Sequence, residues 1–364
     1  MSKNLRHIGN DTPRKDARNI VTGKAQFFDD IKVPGMLYGK VLRSPHAHAN
    51  ITRIHVDQAR SMPGVRAVLT HTDIPRWEWG IPKHMPVLDN KVRFVGDAVA
   101  LVAADTPDLA EAALELIDVE YELLPAVYDV EEATTIDAPP LYPQYLNNTY
   151  PNEAPVFEPH LLQHLRLGDV EKGFAEADFI IEDTCGYEIF PNPLPPEPPG
   201  VIATWEKPDC LTIYTPSQSI AFFRFIGIPF IDMADMRAIS TKCGGSYGTK
   251  NANLTPVGYA AQLAKATGKP VKIYYTKEEH FHVYSMRLGS RVKAKVGMRK
   301  DGTVTAIRGV WMVNTGSGSE SGPFQIAVGL GEVQLNLRCA NWDLAGKLFC
   351  TNRSPSGIVR GYGG

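Results

Sequence analysis

Cys243-Gly244-Gly245-Ser246-Tyr247-Gly248-Thr249-Lys250 is the segment whose residue types most directly suggest chemistry, together with Val359-Arg360-Gly361-Tyr362-Gly363-Gly364. Each is glycine-rich and carries an aromatic and a cation. Glycine lets a backbone approach a ligand closely, and successive N–H groups in such turns form a concave site for anions. The first segment follows a strand-like run, Met236–Ser240, and precedes a helical pattern that starts at Thr255-Pro256. A strand, glycine loop and helix in that order place N–H dipoles where a phosphate or another anionic group can sit.

Two common phosphate motifs fail on spacing. A P-loop needs glycine directly before the lysine, whereas Thr249 precedes Lys250 and Asn251 follows it. Glycines at 244, 245 and 248 do not give the i, i+2, i+5 pattern of a dinucleotide fingerprint. His46 with His48, and His280 with His282, are H-x-H pairs that a strand would place on one face. Neither has a third ligand at motif spacing, so they read as surface or packing residues. Five cysteines with no C-x-x-C pair argue against a disulfide framework, a structural zinc site or an iron–sulfur cluster in this chain.

Gly244–Lys250 resembles the pattern GGGFGGK, and Thr351-Asn352 through Arg360-Gly361-Tyr362-Gly363 resembles TN…P…RGFG. Both patterns are molybdopterin-contacting segments of the xanthine dehydrogenase/aldehyde oxidase family of molybdenum hydroxylases. Upstream, Thr22-Gly23-Lys24-Ala25, Pro34-Gly35-Met36-Leu37-Tyr38, Arg43-Ser44-Pro45-His46-Ala47-His48-Ala49 and Met62-Pro63-Gly64-Val65 resemble that family's N-terminal hammerhead domain. Phe94-Val95-Gly96-Asp97-Ala98-Val99-Ala100 and Val119-Glu120-Tyr121-Glu122 continue the likeness.

The resemblance implies a mixed α/β (α+β) fold, an a/b hammerhead domain followed by the first part of a molybdopterin-binding domain. It implies a molybdenum–molybdopterin cofactor, in its cytosine dinucleotide form or another, held through a pterin dithiolene rather than by side chains. Backbone N–H groups of Gly244, Gly245, Ser246, Tyr247 and Gly248 would face it, with Arg360 and Gly361 approaching from the other side. Gln218, in Thr215-Pro216-Ser217-Gln218-Ser219, matches a family glutamine whose amide hydrogen-bonds an oxo ligand of the metal. Tyr362 and Asn251 would face substrate. Asn251 stands where purine oxidisers carry a glutamate, and no arginine lies near Val328, so a non-purine substrate is expected. Glu197-Pro198 preserves part of the family's LEP motif.

The family's reaction is hydroxylation with water-derived oxygen, the electrons leaving through [2Fe–2S] clusters to FAD. Those groups are expected on partner iron–sulfur and FAD subunits, and the general-base glutamate on a C-terminal half outside this chain. The unusual Ser246, Tyr247 and Thr249 motivate an alternative hydratase that adds water to a conjugated enone. A non-catalytic scaffold subunit is the rival from another class.

The elements that must position these residues follow from pattern. Val92–Ala104 is an apolar, β-branched run fit for a buried strand. Thr106-Pro107-Asp108 reads as N-cap, N1 proline and first-turn carboxylate, with Leu109, Ala113, Leu116 and Ile117 on one helical face. Strands are expected at Val119–Leu123, Phe179–Glu182, Val201–Trp205, Leu211–Thr215 and Val271–Tyr275, and a hairpin at Arg291–Val313 through Asp301-Gly302. A helix should run from Thr255 to Thr267, stopped by Gly268. The proline-dense Phe190–Gly200 should be extended and stiff. The boundaries expected are a flexible tail at 1–18, the hammerhead at 19–134, a linker at 135–165 rich in Pro, Asn and Tyr, and the molybdopterin domain at 166–364.

A net charge of −2 with 21% charged residues gives no electrostatic case for nucleic acid or a membrane surface. The apolar runs are far shorter than the ~20 residues of a spanning helix, and the polar N-terminus has no signal-peptide core, so a cytoplasmic protein is expected. An isolated half-subunit would leave apolar surface uncovered, which calls for an obligate partner chain.

Overall fold

The computed structural model describes residues 9, 11–80, 83–135, 137–150, 163–187, 192–222, 236–251 and 254–361. Two sheets dominate. The larger has seven strands, from edge to edge Met236–Ser240, Cys210–Thr215, Gly200–Lys207, Val271–Tyr274, Leu37–Arg43, Ala98–Ala104 and Val65–Leu69. It draws strands from both the hammerhead-like and the molybdopterin-like stretches. Leu37–Arg43 joins them, pairing parallel with Val271–Tyr274 and antiparallel with Ala98–Ala104.

Ala98–Ala104 is buried at every position because helices cover both faces. Leu101 and Ala103 join the core shared with Val257, Leu263 and Ala264 of the helix Leu254–Thr267. Ala100, Val102 and Ala104 pack instead with Ala110 and Ala113 of the helix Pro107–Leu114. Thr106 caps that second helix by accepting from the Leu109 N–H, as its sequence dictates. The helix is shorter than its apolar pattern: Ile117 is buried just beyond it, while Leu116 is exposed.

The second sheet orders Phe179–Tyr187, Gly289–Met298, Val304–Asn314, Trp342–Phe349 and His164–Leu167. Gly289–Met298 and Val304–Asn314 form the expected hairpin. A three-stranded sheet of Lys91–Val92, Ala49–His55 and Asp118–Leu123 completes the N-terminal part.

Three expectations are corrected. Residues 137–150, expected within a linker, pack into the core, with Leu141, Tyr142, Tyr145 and Tyr150 buried. Tyr142, Tyr145 and Tyr150 surround His84, whose ring meets each within 5.3 Å, and the Tyr150 hydroxyl hydrogen-bonds its Nε2 at 2.8 Å. Among residues 11–18 of the expected tail, Asp16 is tied to Lys242 at 2.6 Å. His280 and His282 lie on a helix, Lys277–Val283, not a strand. Thr276 and Glu279 form its capping box, and the helical period sends the two histidines apart: His280 is buried and His282 exposed.

Candidate functional site

Register explains why Gln218 and the first glycine loop meet. Cys210–Thr215 and Met236–Ser240 are neighbouring parallel strands, with Thr215 opposite Ser240 at their ends. The chain leaves both strands at the same end, delivering Pro216–Gln218 beside Thr241–Gly248. Ligand sites of α/β sheets form at such carboxyl ends. The Gly248 N–H donates to Gln218 Oε1 at 3.2 Å, and the Gln218 N–H to the Lys250 carbonyl at 3.1 Å. With its oxygen engaged by Gly248, the Gln218 side chain has an NH2 that meets no acceptor among the described residues.

The second glycine loop arrives from the other sheet, after Trp342–Phe349. Arg360 N–H donates to the Tyr247 carbonyl at 2.9 Å, joining the two loops. Gly248 sits where a Cβ would lie 2.6 Å from the Ile358 oxygen and 2.8 Å from the Arg360 nitrogen, and its φ is +101°. Only glycine permits that contact. Tyr247 has φ +54°, a left-handed conformation that costs a non-glycine residue about 1–2 kcal/mol. The Arg360 bond helps hold it there. Arg287 steadies the far loop, donating to the carbonyls of Arg360 at 2.9 Å and Gly361 at 3.1 Å.

An anionic group needs donors that the protein has not already engaged. Among the described residues the N–H groups of Gly245, Ser246 and Tyr247 meet no protein acceptor, nor does that of Gly361. At Gly361 a Cβ would meet nothing within 4 Å among the described residues. These donors fit a negatively charged pterin cofactor.

Several residues sit differently from what spacing implies. Gly244, Gly248 and Arg360 direct their N–H groups to Glu197, Gln218 and Tyr247 rather than outward. Asn352, from the TN motif, is 2% exposed and serves the fold. Its Oδ1 accepts from Val127 N–H at 2.9 Å and its Nδ2 donates to the Arg93 and Ala47 carbonyls. Thr249, one motive for the hydratase alternative, is fully buried, and its hydroxyl donates to the Ser246 carbonyl. Asn251 is buried and its carbonyl accepts from Ser217 Oγ at 2.9 Å. Tyr362 lies outside the described residues. Lys250, the cation of the first loop, points inward and is fully buried, 2.8 Å from Glu197 Oε2.

Burial sets the titration of the groups behind the loops. It raises Cys243, which also donates to the Gly245 carbonyl, and lowers Lys250 against the opposing pull of Glu197. It also lowers His280, together with the Lys250 and Lys277 charges, to about 3. Two residues that brace the loops carry weak or no sequence signals. Glu197 is marked only by the Glu197-Pro198 remnant of the LEP motif in a proline-dense stretch, and nothing around Arg287 marks it.

Comparison with known proteins decides the class. Residues 154–364 match the family model of the molybdopterin cofactor-binding domain. Residues 22–125 match that of the aldehyde oxidase and xanthine dehydrogenase a/b hammerhead domain. The chain belongs to the molybdenum hydroxylase family.

Within this family it is 34% identical over 362 residues to a probable xanthine dehydrogenase subunit of Bacillus subtilis (strain 168), covering 96% of this chain and 46% of that protein. It is 32% identical over 368 residues to the nicotinate dehydrogenase large molybdopterin subunit of Eubacterium barkeri, covering 100% of this chain and 83% of that one. Reconstituted CO dehydrogenase from Oligotropha carboxidovorans superposes with a TM-score of 0.84 at 26% identity, over 96% of this chain and 45% of that chain. The chain thus spans about half the length of the first of these relatives and of the solved structure. The hammerhead and molybdopterin-binding folds implied by the sequence are those of the family, and no described helix is long and apolar enough to cross a membrane.

Proposed function

We propose that this chain is the molybdenum-cofactor-binding subunit, or half-subunit, of a multi-subunit oxidoreductase that hydroxylates a non-purine organic substrate. The observation that carries the reading is the junction of the two glycine loops through the Arg360–Tyr247 bond, with unengaged N–H groups beside it. When bound, the molybdenum centre supplies two-electron redox chemistry with water as the oxygen source.

This chain's own residues bind and orient. The N–H groups of Gly245, Ser246, Tyr247 and Gly361 hold the anionic group from two sides. Gln218 presents its amide NH2, fixed by the bond from Gly248, as a donor toward oxygen that gains negative charge. A rigid donor costs no reorganisation during the reaction.

The substrate class rests on the residue type at 251, since the Asn251 side chain itself is buried. A neutral amide there offers no carboxylate to a purine's N–H groups. A pyridine-type ring, such as that of the relative named for nicotinate, suits this site better than xanthine. Partner subunits would bring the [2Fe–2S] clusters and FAD. A further molybdopterin chain or segment would cover the exposed edge strand Phe179–Tyr187, whose apolar start, Phe179, Ile180 and Ile181, is 44–51% exposed. An apolar cleft of ≈ 270 Å³ lined by Val292, Trp311, Leu330, Val333 and Leu344 supports the same partner.

The test is purification of the complex from its native cells with metal, flavin and turnover analysis. About one molybdenum per chain is expected, with turnover of an N-heteroaromatic acid that requires an electron acceptor. A complex without molybdenum would overturn the reading in favour of a scaffold. Turnover without any acceptor would replace hydroxylation with hydration.

A further inference from the structure

Glu197 is where three parts of the chain meet. Its Oε1 accepts from the Phe28 N–H at 3.0 Å, and its Oε2 from the Gly244 N–H and from Lys250 Nζ, both at 2.8 Å. The Glu197 N–H in turn donates to the Gly244 carbonyl at 3.1 Å. Contact is close: a Cβ on Gly244 would fall 2.7 Å from that of Glu197. The carboxylate side chain is 8% exposed and the lysine fully buried.

The span from Gly244 to Lys250 is therefore fastened at both ends to one carboxylate. Between the two ends lie Gly245, Ser246 and Tyr247, whose N–H groups meet no protein acceptor among the described residues. The supporting segment is itself held. Lys277 Nζ donates to the Pro195 carbonyl, and Phe28 fills the space against Gly200, where a Cβ would lie 2.2 Å from its ring.

We propose that Glu197 and Lys250 are positioning residues, a buried ion pair that holds the 244–250 span open as an anion cradle. The inference rests on the cofactor reading above, and extends it to a device that ties the cradle to the N-terminal segment through Phe28. A fully buried ammonium depends on its carboxylate partner, so removing either charge alone strands the other. Three charge-assisted bonds on one carboxylate also fix direction more firmly than an amide can. A glutamine at 197 would offer one oxygen for the N–H groups of Phe28 and Gly244, and would turn its NH2 against the other.

Three variants of the full chain in its native complex separate positioning from plain stability. Lys250→Met is expected to lower Tm. The double variant Glu197→Gln/Lys250→Met removes both charges at nearly equal volume, so Tm should return toward that of the unaltered protein. Hydrogen exchange of residues 244–248 should nonetheless rise at least about tenfold, and molybdenum per chain should fall several-fold. Glu197→Asp keeps the charge but withdraws it by one methylene, and the same rise in exchange is expected. Unchanged exchange at 244–248 in either folded variant would overturn the positioning role. Exchange is read without reference to the metal. An unaltered complex lacking molybdenum would sink the cofactor reading alone. Full molybdenum with unmoved exchange in the variants would sink only the role of Glu197 and Lys250.

Discussion

At the scale of single residues, Gly248 and Gly361 make a controlled pair. Both have positive φ, but a Cβ at 248 meets the backbone of the other loop and one at 361 meets nothing within 4 Å. Gly248→Ala should thus cost about 2–4 kcal/mol in urea unfolding and strip the cofactor, because the loops must separate. Gly361→Ala should cost only about 1 kcal/mol. Equal costs would show that the loops do not touch at 248. Two buried groups, Glu320 and His280, make opposite contributions with pH. Burial pushes Glu320 up to about 8 from 4.5, so the unfolded chain loses that proton first. Its contribution is complete below about 4.5, is lost as pH rises to about 8, and is level beyond. His280 is depressed to about 3 from 6.5, so its contribution is complete above 6.5 and is lost as pH falls toward 3. Between 4.5 and 6.5 these two slopes cancel, the fall from Asp97, raised by burial to about 6, ends near 6, and the fall from 6.5 to 8 is that of Glu320. Glu320→Gln should remove a loss of about 2 kcal/mol across that interval, at about 1.4 kcal/mol per pH unit. Urea titrations of both proteins at several pH values check this. Parallel curves would show that Glu320 ionises normally.

At the scale of elements, the sequence declares what local chemistry controls. Met236–Ser240 is a strand at the residues its pattern marks, and Thr106-Pro107 opens a helix because cap and N1 proline act within one turn. Tertiary partners are invisible to such a reading. The Pro, Asn and Tyr content of residues 138–150 reads as a linker, yet the tyrosines are buried around His84, more than fifty residues upstream. Both glycine loops were visible by composition, but the inward turn of Lys250 was not, because its partner Glu197 lies in another segment. The helix Lys277–Val283 illustrates a signal present in sequence and outweighed by the H-x-H spacing. Glu279 closes its capping box, accepting from the Thr276 N–H at 3.0 Å, and also binds Arg43 at 3.1 Å. Arg43 lies 5.1 Å from the Tyr275 ring centroid, with its side chain 16% exposed. Glu279→Ala removes a cap and leaves that arginine without its carboxylate. A loss of about 2–4 kcal/mol is expected, against about 1 kcal/mol for Thr276→Ala. Similar values for the two, from chemical denaturation, would mean that the Arg43 pair contributes nothing beyond the cap.

At the scale of the whole molecule, the seven-stranded sheet makes the two family segments interdependent. Leu37–Arg43 stands between Ala98–Ala104 and Val271–Tyr274, and Leu37, Val41, Leu101, Val271 and Ile273 belong to one core. The boundaries expected at 134 and 166 divide the chain by sequence likeness, while the hydrogen-bond ladder runs across them through Leu37↔Val271, Tyr38↔Lys272 and Gly39↔Ile273. Asn352 adds a second tie, bonding Val127, Arg93 and Ala47 from the far end of the chain. A polypeptide of residues 1–134 would lose the parallel neighbour of Leu37–Arg43. It would also uncover the face of Ala98–Ala104 that packs on the helix Leu254–Thr267. An unpaired, apolar edge of this kind is prone to association. The expected result is a fragment that elutes as soluble aggregate and shows no cooperative thermal transition. Adding residues 135–364 in trans should restore a single transition, since the missing neighbours then return. A monomeric 1–134 fragment with its own sharp unfolding would show that the N-terminal part folds alone. The cross-boundary ladder would then serve to align the cofactor loops rather than to build the core.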